Sequence, residues 1–322
     1  MQEPLPLPLR VGLRLERVLP WRLSQDLDSR NTASLRAHYD RLSRQTKPLP
    51  AGGSPLDFEV HCLLGARHIG MALWSVKSLL YQLGFPVNVV LHDDGSLSKG
   101  DQDELRAHLP GVRILGRDEA DRMIRPKLDG LAGAMEYRFT EVPTSDHRGN
   151  SYNMFLWSLI LLDFHLLAQA SKVMILDVDV LFFKPPTLIA DWIGDTNDAR
   201  ALYSVEAFRP LGRSGGVTDY GSKPRETLNS GLLCFPRDLI DLQKIDNWIL
   251  DNPDLMYTSP VFEQLCYSHI VRGDPRSVKL PGHLYSFNYT DSNCISTHFG
   301  VKRGFFDNLP RVAPLLMEGE TA

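Results

Sequence analysis

The alternation of apolar and polar positions becomes regular at Phe58. Phe58–Leu64 is a run of mixed apolar residues ending at Gly65, and it predicts a buried strand. Over 71–83, Leu73, Trp74, Val76, Leu79, Leu80 and Leu83 recur at helical spacing. A second strand falls within 86–92, where Val87-Asn88-Val89-Val90-Leu91 stops at Asp93-Asp94-Gly95. Ser98 then caps a helix over Lys99–His108, and 112–115 is a short third strand. Strand, helix, strand, helix, strand at these intervals predicts parallel βαβ units.

Further along, 152–169 reads as one long apolar helix. It leads through Ser171-Lys172 into Val173-Met174-Ile175-Leu176, a central strand apolar on both faces. Asp177-Val178-Asp179 follows at its C-terminal end, and Pro185-Pro186 breaks the chain soon after. Strands are expected at 201–204 and 231–235, and helices at 238–250 and 260–268. Residues 207–227 are rich in glycine and polar groups and read as a long loop. Arg209-Pro210-Leu211-Gly212 within it suits a lid over a bound substrate, and no Gly-Lys-Ser/Thr follows to make it a phosphate loop. From Val278 to about His298 the pattern is irregular.

Upstream, residues 1–56 are rich in Pro, Arg and Leu and end in the breaker run Lys47-Pro48-Leu49-Pro50-Ala51-Gly52-Gly53-Ser54-Pro55. They read as an N-terminal extension with a helix near 34–42 and no evident chemistry, ahead of one α/β domain over 57–322. The whole chain has 322 residues, 43% of them hydrophobic, enough for a sizeable core. Its 35 basic and 39 acidic residues give a net charge of -4, with no global field to attract nucleic acid. Cys62, Cys234, Cys266 and Cys294 show no CxxC or zinc spacing, so structural disulfides are not expected and a reducing compartment fits. No run has the signal-peptide form or the 18–20 apolar residues, roughly, of a membrane helix. A cytoplasmic protein is expected, with peripheral contact at a membrane left open.

The chemistry concentrates at the strand end. In a parallel α/β sheet ligands bind beyond the C-terminal ends of the strands. Asp177 and Asp179, one residue apart there, are hard oxygen ligands that suit Mg²⁺ or Mn²⁺, which in turn bridge phosphate oxygens. The same spacing also fits a strand followed by an Asx-turn with both carboxylates solvated. Asn229-Ser230-Gly231 fits a capped strand entry, or an amide on sugar hydroxyls with a glycine admitting close approach. Asp93-Asp94-Gly95 is a strong turn signal at a strand end, where Asp94 would be in reach of a nucleotide.

Four segments together resemble the A-type (GT-A) nucleotide-sugar glycosyltransferases, most closely glycosyltransferase family 8, over about Phe58 to Phe306. His61-Cys62-Leu63-Leu64-Gly65-Ala66-Arg67 resembles the first strand, whose end contacts base and ribose. Ile175-Leu176-Asp177-Val178-Asp179-Val180-Leu181 resembles the metal-binding D-x-D strand. Leu228-Asn229-Ser230-Gly231-Leu232 resembles the Asn-Ser-Gly strand beside the donor sugar, and Thr297-His298-Phe299-Gly300-Val301-Lys302 the C-terminal His-x-Gly…Lys element. The resemblance implies a GT-A fold with a mainly parallel central sheet flanked by helices, and a hexosyltransferase using Mn²⁺ or Mg²⁺. It implies Asp177, Asp179 and His298 as metal ligands, and a donor site drawing on Leu63, Gly65, Ala66, Arg67, Asp94, Asn229, Ser230, Gly231, Lys302 and Arg303. It favours a UDP-sugar donor, and leaves a glycan, a lipid-linked sugar or a small molecule as acceptor.

Two departures matter. Lys302 stands only four residues after His298, closer than the family pattern, so either Lys302 or Arg303 meets the diphosphate. The family's basic residue upstream of the D-x-D strand has only Arg148 as a counterpart. Glu263 and Gln264 are the catalytic candidates: Glu263 as general base in an inverting enzyme, Gln264 beneath the sugar in a retaining one. Two other classes compete. A D-x-D strand also opens the haloacid dehalogenase phosphatases, although here Leu181-Phe182-Phe183-Lys184 follows and βαβαβ precedes. The third reading is a sugar-nucleotide-binding protein without catalysis.

Overall fold

The computed structural model describes residues 5–16, 21–140, 143–145, 151–207, 226–259 and 261–317; the side chains of 21–26, 143–145, 151–155, 207 and 226 are outside the description. Strands are numbered in chain order: β1 Phe58–Leu64, β2 Asn88–Asp93, β3 Arg113–Leu115, β4 Pro143–Ser145, β5 Ser151–Asn153, β6 Lys172–Leu176, β7 Val180–Phe182, β8 Ala201–Ala207, β9 Glu226–Pro236, β10 Ser277–Lys279, β11 Tyr285–Phe287 and β12 Ser296–His298. Seven form one sheet in the order β10-β8-β9-β6-β1-β2-β3. The half β6-β1-β2-β3 is parallel, as the βαβ spacing predicts. β9 runs antiparallel to both β6 and β8. A second sheet, β11-β12-β7, sits at the C-terminal end of β6, and β4 pairs β5 as a hairpin.

β1 and β6 are the sheet's centre because almost every residue in them can be buried on either face. Val173, Met174, Ile175 and Leu176 are fully buried. One face packs on Leu73, Val76, Leu79 and Leu80 of the helix Ile69–Leu83. The other packs on Leu161, Phe164, Cys266 and Tyr267. Ser98 caps its helix with a full capping box, its hydroxyl accepting from the Asp101 N–H. All four cysteines are buried and free, so Cys62 and Cys234 are core residues as expected.

Three expectations need correction. The helix over 152–169 is not continuous: Met154–Ser158 is α, Leu159–Asp163 is a π segment, and Phe164–Leu166 resumes the α-helix. The widened turn releases carbonyls, and the Tyr267 hydroxyl donates to those of Ile160 (2.8 Å) and Leu161 (3.4 Å). In the same segment Asp163 is fully buried against Arg138, held by two 2.7 Å bonds. The C-terminal stretch is also more ordered than its pattern suggests, holding β10, β11, β12 and the helix Lys302–Asn308. Strands of three residues are too short to show a period.

Lastly, the helix near 34–42 is longer, Trp21–Ser43. It buries Leu35, Tyr39 and Leu42 in a cluster with Trp74, Phe305 and Phe306. The Trp74 indole N–H donates to the Tyr39 carbonyl at 3.0 Å. Gly70 permits the crossing, since a Cβ there would meet Asp40 Cα at 3.0 Å.

Candidate metal and nucleotide-sugar site

The ends of β6, β9 and β12 converge. β9 pairs β6 as far as Leu176↔Leu232, and the next bond runs from the Asp177 N–H to the Gly231 carbonyl at 3.0 Å. The ladder between β8 and β9 jumps here, from Tyr203↔Leu233 to Ser204↔Asn229. The extra residues bulge out of the strand, which is how Asn229, Ser230 and Gly231 come to face the site instead of following the pleat. The Ser204 hydroxyl holds the bulge by donating to the Leu232 carbonyl at 3.0 Å. On the other side β12 pairs antiparallel with β7, opposing His298 to Val180, and the Phe299 N–H donates to the Asp179 carbonyl at 2.9 Å. The small sheet thus sets His298 beside the D-x-D loop.

Ligand atoms of Asp177, Asp179 and His298 all lie within 4.8 Å of one another. His298 Nε2 is 3.1 Å from Asp179 Oδ1 and 3.5 Å from Asp177 Oδ2. Its Nδ1 is 2.7 Å from Asn229 Oδ1. The Asn229 amide is oriented independently: its Oδ1 accepts from the Gly231 N–H (3.1 Å) and its Nδ2 donates to Glu206 (3.0 Å). Oδ1 is therefore the acceptor, so Nδ1 of His298 carries a proton and Nε2 faces the two carboxylates. A neutral imidazole would point a lone pair at two anions, so Nε2 requires either a proton or a cation.

That electrostatic demand shows in the acids. Burial alone would raise the Asp179 pKa, but His298 and then Lys302, 2.8 Å away, hold it far below the usual carboxylate range. Asp177 is pushed up by burial and by the charge of Asp179. His298 is raised: burial opposes its charge, and Asp179 followed by Asp177 and Glu206 outweigh burial. The donor set of two carboxylate oxygens and one imidazole nitrogen fits Mn²⁺ or Mg²⁺. Gly231 leaves the space, since a Cβ there would lie 2.8 Å from Asp177 Oδ2 and 2.5 Å from His298 Nδ1.

Beneath the bulge lie the two catalytic candidates. Glu263 and Gln264 open the helix Phe262–Gly273 and are both buried. The Ser230 hydroxyl donates to Glu263 Oε1 at 3.0 Å, while Oε2 is buried without a partner among the described residues. Burial pushes the Glu263 carboxyl up to about 8, with Asp177 adding to the rise and the Ser230 bond opposing it. Gln264 donates to Glu206 at 2.9 Å. Glu206 thus joins Asn229 and Gln264, a role the sequence reading missed. Its signal is an acid that closes the mainly apolar run Ala201-Leu202-Tyr203-Ser204-Val205, just before the long loop. Ser75 was missed too: its hydroxyl donates to the Asp177 carbonyl at 2.9 Å.

The remaining donor-site candidates fall into two groups. Leu63, Gly65, Ala66 and Arg67 end β1 and begin the next turn; Arg67 is exposed, and its carbonyl accepts from Arg36. The Asp94 carboxylate lies over Gly65, with its Cγ 2.6 Å from where a Cβ would be. The Ala66 N–H donates to the Ser96 hydroxyl at 2.8 Å, tying the β1 and β2 ends together. Lys302 reaches the acid cluster, but Arg303 turns away from it. Arg303 bonds Asp28 (2.7 Å), Glu16 (3.0 Å) and Asp307 (2.9 Å), so the N-terminal segment supplies two of its three partners. Residues 209–212, expected to belong to a lid, and Arg148 lie outside the described residues.

No family model matches the sequence, and no curated protein matches it. Solved structures do match. A galactosyltransferase, LgtC, in complex with donor and acceptor sugar analogs superposes with a TM-score of 0.52 at 13% identity, covering 82% of this chain and 98% of that one. Mouse xyloside xylosyltransferase 1, in its apo form, gives 0.48 at 13% identity over 79% and 99%. The chain has the GT-A fold, the α/β fold of nucleotide-diphospho-sugar transferases. Within that fold it carries a cluster of two aspartates and a histidine at the end of the central strand.

Proposed function

We propose that the protein is a metal-dependent glycosyltransferase, similar to family 8 enzymes, that moves a sugar from a UDP-sugar to an acceptor hydroxyl. One observation carries the reading. Asp177 and Asp179, in the loop between β6 and β7, and His298, at the end of β12, come to a single point, and the Asn229 amide fixes the imidazole so that Nε2 faces the carboxylates. A Mn²⁺ or Mg²⁺ ion held there would neutralise charge on the diphosphate leaving group. Lys302, now on Asp179, is close enough to share that task once a cation occupies the carboxylates. The turn at Gly65, Ala66 and Arg67 and the Asp94 carboxylate are suited to the nucleoside, and the Asn229–Gly231 bulge to the sugar.

With its carboxyl near 8, Glu263 is mostly protonated at neutral pH. That argues against a general base and for a hydrogen-bonding support of Ser230, and so for the retaining course over the inverting one. Gln264, bound to Glu206, is then the residue offered to the sugar. The phosphatase reading is not favoured. Its second aspartate must exchange a proton near neutral pH, whereas Asp179 is held as an anion by His298 and Lys302.

The test is release of nucleoside diphosphate from a panel of sugar nucleotides with Mn²⁺. Wild type should turn over UDP-sugars and stop in excess chelator. Asp179→Asn should lose metal-dependent turnover while remaining folded. Full activity of that variant, or inorganic phosphate released from simple esters in place of nucleoside diphosphate, would refute the assignment.

A further inference from the structure

The helix Leu7–Glu16 has two apolar sides, and among the described residues only one is covered. Leu9 is buried, and Leu5 and Leu13 pack beside it in the cluster that holds Tyr39 and Phe306. On the outer side stand Leu7, Val11 and Leu15, 64%, 46% and 47% exposed. Their four-residue spacing sets them in one line along the helix. Among the described residues ten large apolar side chains are exposed, and three of the ten belong to this one helix. That concentration separates it from the scattered single exposures any surface has.

The polar residues of this face are both cationic. Arg10 and Arg14 are exposed beside the apolar line. The helix's only acid, Glu16, is turned inward to Arg303 (3.0 Å) and Asn31 (2.7 Å), leaving the two arginines without an ion pair among the described residues. The charge of this part of the chain agrees. Residues 1–56 hold nine basic and five acidic side chains, against 26 and 34 in the rest.

We infer that this face docks on an anionic lipid bilayer, with Leu7, Val11 and Leu15 entering the boundary between headgroups and acyl chains and Arg10 and Arg14 meeting lipid phosphates. The helix lies in the interface plane. Ten residues cannot span a bilayer, and no described helix is long and apolar enough to do so. A second copy of the chain is the poorer occupant. A two-fold contact through the line would bring four arginines to one seam with no exposed carboxylate on the helix to meet them. Glu16 at the inner end holds Arg303, next in sequence to Lys302, so docking would fix the orientation of the acid cluster relative to the membrane. On the proposed transferase this favours a lipid-linked acceptor, but the docking itself does not depend on that reading.

Co-sedimentation of the full chain with vesicles tests it. Phosphatidylcholine vesicles containing phosphatidylglycerol should bring the protein down, vesicles of phosphatidylcholine alone should not, and added salt should release it. Arg10→Gln and Arg14→Gln should each weaken partition roughly five-fold. The combined Leu7→Gln, Val11→Gln, Leu15→Gln variant should lose binding with its thermal midpoint unchanged, because these side chains are exposed. Absence of binding, equal binding to both vesicle types, or equal binding by the variants would overturn the inference. So would a lipid-free dimer in sedimentation velocity that the triple variant abolishes. Mn²⁺-dependent release of nucleoside diphosphate without vesicles reads the transferase proposal separately.

Discussion

Gly231 is hemmed in on two sides, by the His298 ring and by the Asp177 carboxylate. One methyl group would push at least one of these ligands out of position, and displacement by about 1 Å costs catalysis of the order of 100-fold. Gly231→Ala should therefore lose about that factor in metal-dependent turnover and bind Mn²⁺ more weakly in calorimetric titration, while folding normally. Glu263 makes a prediction in pH. Its carboxyl titrates near 8 when folded and near 4.5 as an ordinary glutamate, so folding favours its protonated form. The corresponding stability is complete below about 4.5 and is lost as pH rises to about 8. Glu263→Gln, which keeps a neutral side chain throughout, should gain on wild type across that window. Thermal midpoints of the two proteins in chelator should diverge as pH rises from 5 to 8, and a constant difference would count against the buried acid. At this scale the sequence was legible where chemistry and position coincide, as in Asp177 and Asp179 after an apolar run. Glu206 was not, because its importance comes from Asn229 and Gln264, which are 23 and 58 residues away in sequence.

Elements explain why some readings succeeded and others did not. β1, β2 and β6 are buried on both faces, so their apolar runs announce them. β12 has three residues and no period, and His298 was singled out by its basic and glycine neighbours and by the resemblance, not by its strand. The bulge in β9 is set by the pairing with β8, which no local pattern encodes. The same limit hid the docking of the N-terminal helices, whose chemistry was read as absent. Arg303 shows that contact most sharply: its guanidinium joins Glu16 and Asp28 to the helix Lys302–Asn308. It is therefore expected to act as a clamp on the N-terminal segment. Arg303→Ala should cost about 1–2 kcal/mol in urea melts, Glu16→Gln should cost less, and the two should combine non-additively. The KM for the sugar nucleotide should stay near wild type in both. A large rise in KM with unchanged stability would return Arg303 to the diphosphate.

For the molecule as a whole, the parallel half of the sheet was legible because βαβ spacing leaves few alternatives, the GT-A architecture was implied by the resemblance of four segments, and the superposition on a galactosyltransferase bound to sugar analogs agrees. The helix Ile69–Leu83 ties this architecture to the site. It begins directly after the turn at Gly65–His68, where the nucleoside is proposed to bind. Nearly two turns further on, Ser75 grips the Asp177 carbonyl, and about a turn beyond it Ser78 accepts from the Phe182 N–H at 3.0 Å. Both ends of the Asp177–Asp179 loop thus hang from the rod that carries the Gly65–His68 turn. Occupancy at one should be felt at the other, and by thermodynamic reciprocity the two effects must be equal. Mn²⁺ and UDP together should raise the thermal midpoint by more than the sum of their separate shifts, and Ser75→Ala should shrink that excess. A nucleotide pocket wired in this way to its ion would discriminate against metal-free donors before any bond is broken.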